Sequence, residues 1–213
     1  VGCLAVAKYL TANLASKRGR VRELVRALRE EQPDVAVLTE AYHARWWLLL
    51  VRGYKLRQYS RLRGPEAPGI AFLVKRGRKI EQRWLMRMTE PWHGPHGRRH
   101  QPRRYPVMVV EDLPPILGLH APWPHGTDAW YETWRRVTRW LLAHPEAHAP
   151  GDWNAQAHEL TRHMPQGLQL VVGTKVDHDL TRGMRHAWTK RLRELQPEGM
   201  HGWIVYGYQG DGT

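Results

Sequence analysis

The sequence predicts an α/β (α+β) fold, and three observations carry the prediction. Short runs rich in aliphatic and β-branched residues recur along the chain, among them Asp34–Glu40, Gly69–Arg76, Tyr105–Glu111 and Leu168–Val172. Runs of that length bounded by turn residues read as strands. Between them lie two stretches of helical period, one carrying Val21, Leu24, Val25 and Leu28 and the other Trp130, Trp134, Val137 and Leu141, each with one apolar face to bury. At 213 residues the chain is long enough for one sizeable core, so a single domain over 1–213 is expected.

Taken in order, Gly2–Ala7 suits a buried strand that continues through Leu10, Thr11 and Ala12 to Asn13. Asn13 at that point reads either as a site residue at a strand end or as a turn or cap residue. From Ser16 the amphipathic helix runs until Pro33 stops it, because proline lacks the N–H that a helix interior needs. Asp34–Glu40 then reads as a buried, parallel-type strand that delivers Glu40 to its carboxyl end. Trp46–Val51 is a second apolar patch of helix or loop, and Pro65–Pro68 a turn before the strand at Gly69–Arg76.

Residues 90–106 hold prolines at 91, 95 and 102 with His93, His96 and His100. This composition makes a loop, and no cysteine or carboxylate cluster completes the three histidines as a zinc site. Tyr105–Glu111 and Pro115–His120 form a strand pair across Asp112-Leu113-Pro114. Asp128 is a fair N-cap for the second helix, whose tryptophan stripe reads as core. That helix leads back to the weak apolar run Ala147–Pro150 and then to Gly151-Asp152-Trp153-Asn154-Ala155. In extended chain, side chains alternate, so Asp152 and Asn154 are expected to face one ligand. The bland alternative is a turn, since Asp, Asn and Gly all favour one. Leu168–Val172, Lys175–Leu180 and Trp203–Tyr206 complete the predicted strands.

A formal net charge of +13 implies a field that draws polyanions, nucleic acid first. Compositional bias is the competing cause, as eleven tryptophans against one phenylalanine indicate. Those tryptophans also supply rings on which bases can stack. No run approaches the ~18 apolar residues of a membrane span. Cys3 has no second cysteine to pair with, and no signal peptide is legible at the start of this sequence. Cytoplasmic location and a monomer are the expectations.

Several of these blocks resemble the endonuclease/exonuclease/phosphatase superfamily, the group of deoxyribonuclease I and the apurinic endonucleases. Pro33–Glu40 is similar to its Pro-Asp-Ile/Val-Ile/Val-x-Leu-Gln-Glu block, with Thr39 in place of Gln. Gly69–Arg76, Leu117–Pro122, Gly151–Ala155 and Lys175–Leu180 resemble further blocks in the family's order, and Met200–Tyr206 resembles the closing one. The resemblance implies a four-layered α/β sandwich, two mostly antiparallel sheets flanked by helices. It implies that Glu40, assisted by Asn13, binds Mg²⁺ or Mn²⁺, and that His120, Asp152, Asn154, Asp177 and His201 are catalytic, with Asp177 orienting His201. Glu66 matches a His-orienting Glu of some members poorly. Arg103, Arg104 and Trp153 are the candidate substrate contacts.

Besides Thr39, the chain departs from the family pattern where Met200 replaces the usual Asp, where the closing block lacks its Pro, and where Asp179 fills a normally apolar place. The implied activity is metal-dependent phosphodiester hydrolysis by a nuclease acting on DNA or RNA. The alternatives are a phosphatase of a phosphorylated lipid or small ester, and a degenerate, non-catalytic nucleic-acid-binding member.

Overall fold

The computed structural model describes residues 6–14, 20–41, 48, 51–58, 69–93, 99–100, 103–123, 125–192 and 203–209. Within them the first strand, β1 (Ala7–Asn13), shows how a period of two builds layers. Tyr9 points to one side of its sheet, into a cluster with Val35, Val37, Phe72, Val74, Ile204 and Tyr206. Leu10 and Ala12 point to the other, into a cluster with Ala36, Leu38, Leu73, Trp203 and Val205. Helix α1 (Arg20–Glu31) covers that second face with Val21, Leu24, Ala27 and Leu28. Alternation on each strand therefore separates an inner from an outer core.

This first sheet also contains β2 (Val35–Thr39), β3 (Tyr54–Gln58), β4 (Ala71–Lys75), β14 (Arg185–Arg191) and β15 (Trp203–Gln209), in the order β14-β15-β1-β2-β4-β3. β1 and β2 run parallel and the other pairs antiparallel. The second sheet runs β12-β13-β11-β9-β8-β5, with β10 beside β11. Its strands are β5 (Ile80–Arg87), β8 (Arg104–Val110), β9 (Ile116–Leu117), β10 (Leu119–His120), β11 (His148–Asp152), β12 (Leu168–Val172) and β13 (Asp177–Arg182). The same apolar cluster extends through Val107, Leu117, Leu119 and Leu180 of this sheet to Trp130, Trp134, Val137 and Leu141 of α2 (Asp128–Ala143) and Leu160 of α3 (Ala157–His163). The result is the expected four-layered α/β sandwich. The tryptophan stripe is core, with Trp130 stacked on Trp134 at 5.7 Å.

Several local expectations are corrected. Thr127, not Asp128, is the N-cap of α2, its side chain accepting the Trp130 N–H at 3.3 Å. Residues 90–106 are not all loop, because Trp92–His93 (β6) and Arg99–His100 (β7) pair as a short hairpin. The strand foreseen over 115–120 divides into β9 and β10 at Gly118. There a Cβ would lie 2.8 Å from the Ile70 side chain. β3, β5 and β14 were not foreseen at all. Each is the edge of a sheet, and β5 and β14 are largely exposed, so neither carries the apolar alternation that reveals a strand.

Asp179 is not a sign of fraying. It is fully buried in a continuous β13, accepting hydrogen bonds from Tyr208 Oη at 2.8 Å and pairing with His148 Nδ1 at 2.8 Å. The Tyr9 ring meets His148 edge-on at 4.5 Å. This polar group spans the inner core and ties β11 and β13 of one sheet to β1 and β15 of the other. Burial, then the charge of Asp179, raises the pKa of Tyr9 and of Tyr208, so both phenols stay protonated and available as donors.

Candidate active site

Strand ends converge at one rim of the sandwich. Asn13 ends β1 in register with Thr39, the last residue of β2, and Glu40 follows directly. In the second sheet His120 ends β10 beside Asp152, which ends β11 and pairs in turn with Asp177 at the start of β13. Parallel neighbours that stop together leave a crevice beyond their carboxyl ends. Strand pairing thus groups Asn13 with Glu40 in one sheet and His120 with Asp152 and Asp177 in the other.

Asn13 links the two sheets. Its Nδ2 donates to Glu40 Oε1 at 2.9 Å and to Asp152 Oδ2 at 3.1 Å. His120 Nε2 lies 3.5 Å from the same Oδ2. The ligand atoms of Glu40, His120 and Asp152 lie within 4.8 Å of one another, and they are the only such group among the described residues. Glu40 adopts φ +51°, a left-handed conformation that costs a non-glycine residue about 1–3 kcal/mol and persists where surrounding contacts enforce it. Here the Asn13 amide and the Ala41 N–H bond to Gly69 O, at 2.7 Å, flank it.

Gly151 explains the approach of β10 to β11. With φ +149°, a Cβ there would lie 2.0 Å from Leu119 O, so no other residue fits without moving β10. The chain then leaves the strand, and period-two alternation ends with it. Asn154 takes φ +49°, its backbone N–H capping Asp152 Oδ1 at 2.9 Å and its Nδ2 holding Ala121 O at 2.8 Å. Asp152 and Asn154 thus cooperate through a turn, not as two side chains on one strand face.

Trp153 is fully buried, its ring against Trp134 at 5.5 Å and its carbonyl accepting from Trp130 Nε1 at 2.8 Å. It has no face to offer a base, and its expected role in substrate contact is withdrawn in favour of packing. Arg103 reaches the site from behind, donating at 2.8 Å to His120 O, which also accepts from Tyr105 Oη. Arg104 is exposed at the start of β8. Asp177 is buried and receives Thr174 Oγ1 at 3.0 Å. His201, Met200, Glu66 and His96 lie outside the described residues.

Arg20 escaped the sequence reading. It is buried under the rim, donating to Asn13 O at 2.6 Å. Burial lowers its pKa, while the charges of Glu23, Glu40 and Asp177 oppose the shift. A cation at a helix N-terminus is electrostatically disfavoured, and that misfit with α1 was the available signal. His178, beside Asp177, has its pKa lowered by burial, with the Ala155 carbonyl opposing. Its Nε2 contacts that carbonyl at 3.1 Å.

Two facing mixed sheets with helices outside, and a carboxylate, imidazole and amide at the rim, place this chain among proteins with the endonuclease/exonuclease/phosphatase fold. Among solved structures it is similar to D. rerio TDP2 complexed with a single-strand DNA product, at 12% identity and TM-score 0.75, over 96% of this chain and 99% of that one. It is similar also to an endonuclease/exonuclease/phosphatase family protein from Bacteroides thetaiotaomicron, at 15% identity and TM-score 0.70, covering 99% and 100%. The human Nocturnin catalytic domain with bound sulfate anion matches at 13% identity and TM-score 0.65, covering 98% and 96%. No family model and no curated protein matches the sequence.

Proposed function

We propose that this chain is a metal-dependent phosphodiester hydrolase, a nuclease acting on DNA or RNA. The observation that carries the proposal is the convergence of Glu40, His120 and Asp152 within 4.8 Å around the Asn13 amide. The Glu40 carboxylate suits Mg²⁺ or Mn²⁺, which prefer hard oxygen donors, while Asp152 and His120 serve proton transfer and hydrogen bonding. Glu40, positioned by Asn13, is the principal ligand in this reading. A bound cation polarises a phosphoryl oxygen and offsets the charge that develops there.

The remaining steps belong to the chain's own residues. Asp152, its Oδ1 capped by the Asn154 N–H, orients a water and accepts its proton at Oδ2. His120 lies on the opposite flank of Oδ2 and donates a hydrogen bond to the phosphate through Nε2. Asn154 fixes the loop that carries these contacts, and the family resemblance assigns to Asp177 the orienting of a catalytic histidine, for which His201 is the candidate. Arg103 and Arg104 add positive charge at the rim. The net charge of +13 supports a polymeric polyanion over a small ester, and the TDP2 relative complexed with single-strand DNA supports the same substrate class. Asp179 no longer motivates a degenerate, non-catalytic reading, since it serves the inner core.

The test is incubation with supercoiled plasmid, linear duplex, single-stranded DNA, RNA and a soluble phosphomonoester, each with Mg²⁺ or Mn²⁺ and beside Asp152→Ala. Cleavage of a polymer that is lost in the variant and in chelator is expected. Turnover of the monoester alone would replace the nuclease by a phosphatase, and activity retained by Asp152→Ala would overturn the site.

A further inference from the structure

Among the described large apolar side chains Trp123 is the most exposed, at 62%. Isolated exposed tryptophans are ordinary, but the loop that carries this one is not. It begins directly after His120 and is tethered on both flanks. On the near side the Ala121 N–H donates to Asp152 O at 2.7 Å, Ala121 O accepts Asn154 Nδ2 at 2.8 Å, and Pro122 is buried. On the far side His125 Nδ1 pairs with Glu159 Oε1 at 3.0 Å, and its ring meets Trp130 edge-on at 4.3 Å. Pro122 and Pro124 bracket Trp123 in sequence, and a residue before proline is confined to extended backbone. The near tethers hold the loop against the candidate active site, the far ones hold it against α2 and α3, and the Trp123 side chain between them is exposed.

We propose that Trp123 is a stacking platform for an unpaired nucleobase flanking the phosphate held at Glu40, His120 and Asp152. The inference rests on the phosphodiesterase reading for the identity of the ligand. Three residues of chain span roughly 10 Å at most, so the indole is within one nucleotide or so of His120. The base is the planar π group that a polynucleotide carries at that distance from its phosphate. In a duplex both faces of that base are covered by its neighbours, whereas an unpaired or frayed base leaves one free. A ring pre-positioned by prolines and tethers loses little conformational freedom on stacking. Trp123 therefore makes the enzyme prefer single-stranded or frayed substrate, and it takes the role that the burial of Trp153 rules out for that residue.

The test is fluorescence anisotropy of a labelled single-stranded 12-mer in chelator, where binding is read without cleavage. Trp123→Ala should weaken binding by about 5- to 150-fold, the range for loss of one base-aromatic stack. Trp123→Phe should restore it to within about threefold of the parent, and the loss should vanish on an abasic sugar-phosphate oligomer of equal length. The same variant should narrow the ratio of kcat/KM between single-stranded and duplex substrates. Equal binding by parent and Trp123→Ala, an equal loss on the abasic oligomer, or no binding by the parent overturns the proposal. Trp123-dependent binding without cleavage retains the platform and rejects the nuclease reading; cleavage indifferent to Trp123 does the reverse.

Discussion

Replacing Asn13 with alanine removes a group that donates to both Glu40 and Asp152, at 2.9 and 3.1 Å. Each hydrogen bond to a charged acceptor contributes about 1.5–3 kcal/mol net, so the pair is worth about 3–6 kcal/mol. The carboxylates it separates belong to a group within 4.8 Å, where two unit charges repel by about 3.5 kcal/mol at an effective dielectric constant near 20. Water entering the gap relieves part of both losses, and about 3 kcal/mol at neutral pH is the expected net cost. For a chain of this size that lowers Tm by about 6–12 °C. Thermal unfolding in chelator measures it. Saturating Mn²⁺ should recover more than half of the deficit by replacing the amide between the carboxylates, and Asn13→Asp should fall below Asn13→Ala without metal. A shift under about 2 °C in chelator would refute the bridging role of Asn13.

Other substitutions separate packing from chemistry. Trp153→Ala should cost about 3–5 kcal/mol by denaturant unfolding, because the side chain is fully buried, whereas Trp153→Phe should leave oligonucleotide affinity unchanged; a selective loss of affinity in the Phe variant would return Trp153 to the substrate. Asp179→Leu strands Tyr208 Oη and His148 Nδ1 in the inner core and should cost about 3–5 kcal/mol, and a neutral effect in urea melts would show that the cluster does not hold the sheets. His178 is buried with its pKa lowered below the ordinary 6.5. It binds a proton more readily unfolded than folded, so its stabilising contribution is complete above pH ~6.5 and is lost as pH falls toward the folded pKa, by up to about 1.4 kcal/mol per pH unit. Urea melts between about pH 5 and 7 should show a shallower slope for His178→Gln, and parallel curves would contradict the assignment.

The candidate site was legible because its residues stand where local patterns stop. Asn13, Glu40, His120 and Asp152 each close an apolar run, and a polar residue at the end of a buried strand is conspicuous in one dimension. The edge strands β3, β5 and β14 were hidden for the opposite reason. β5 and β14 are exposed along most of their length and keep no apolar alternation, β3 alternates over only five residues, and pairing with β8, β15 or β4 is what makes each a strand. The shared face of Asp152 and Asn154 was misread because alternation was carried two residues too far: the strand ends at Asp152 and Asn154 turns left-handed. Asp179 looked like a fault in an apolar strand because its partners His148 and Tyr208 are 31 and 29 residues away in sequence.

By itself, then, the sequence determined what depends on near neighbours: the buried strands, the two longer helices, the positive charge, and the carboxylates and imidazole at strand ends. Only the tertiary structure decided which of those ends meet, that Asn13 stands between Glu40 and Asp152, and that Trp123 faces solvent while Trp153 does not. Periodicity and turn chemistry act over a few residues, whereas sheet order and burial are set by contacts between segments that no local pattern records.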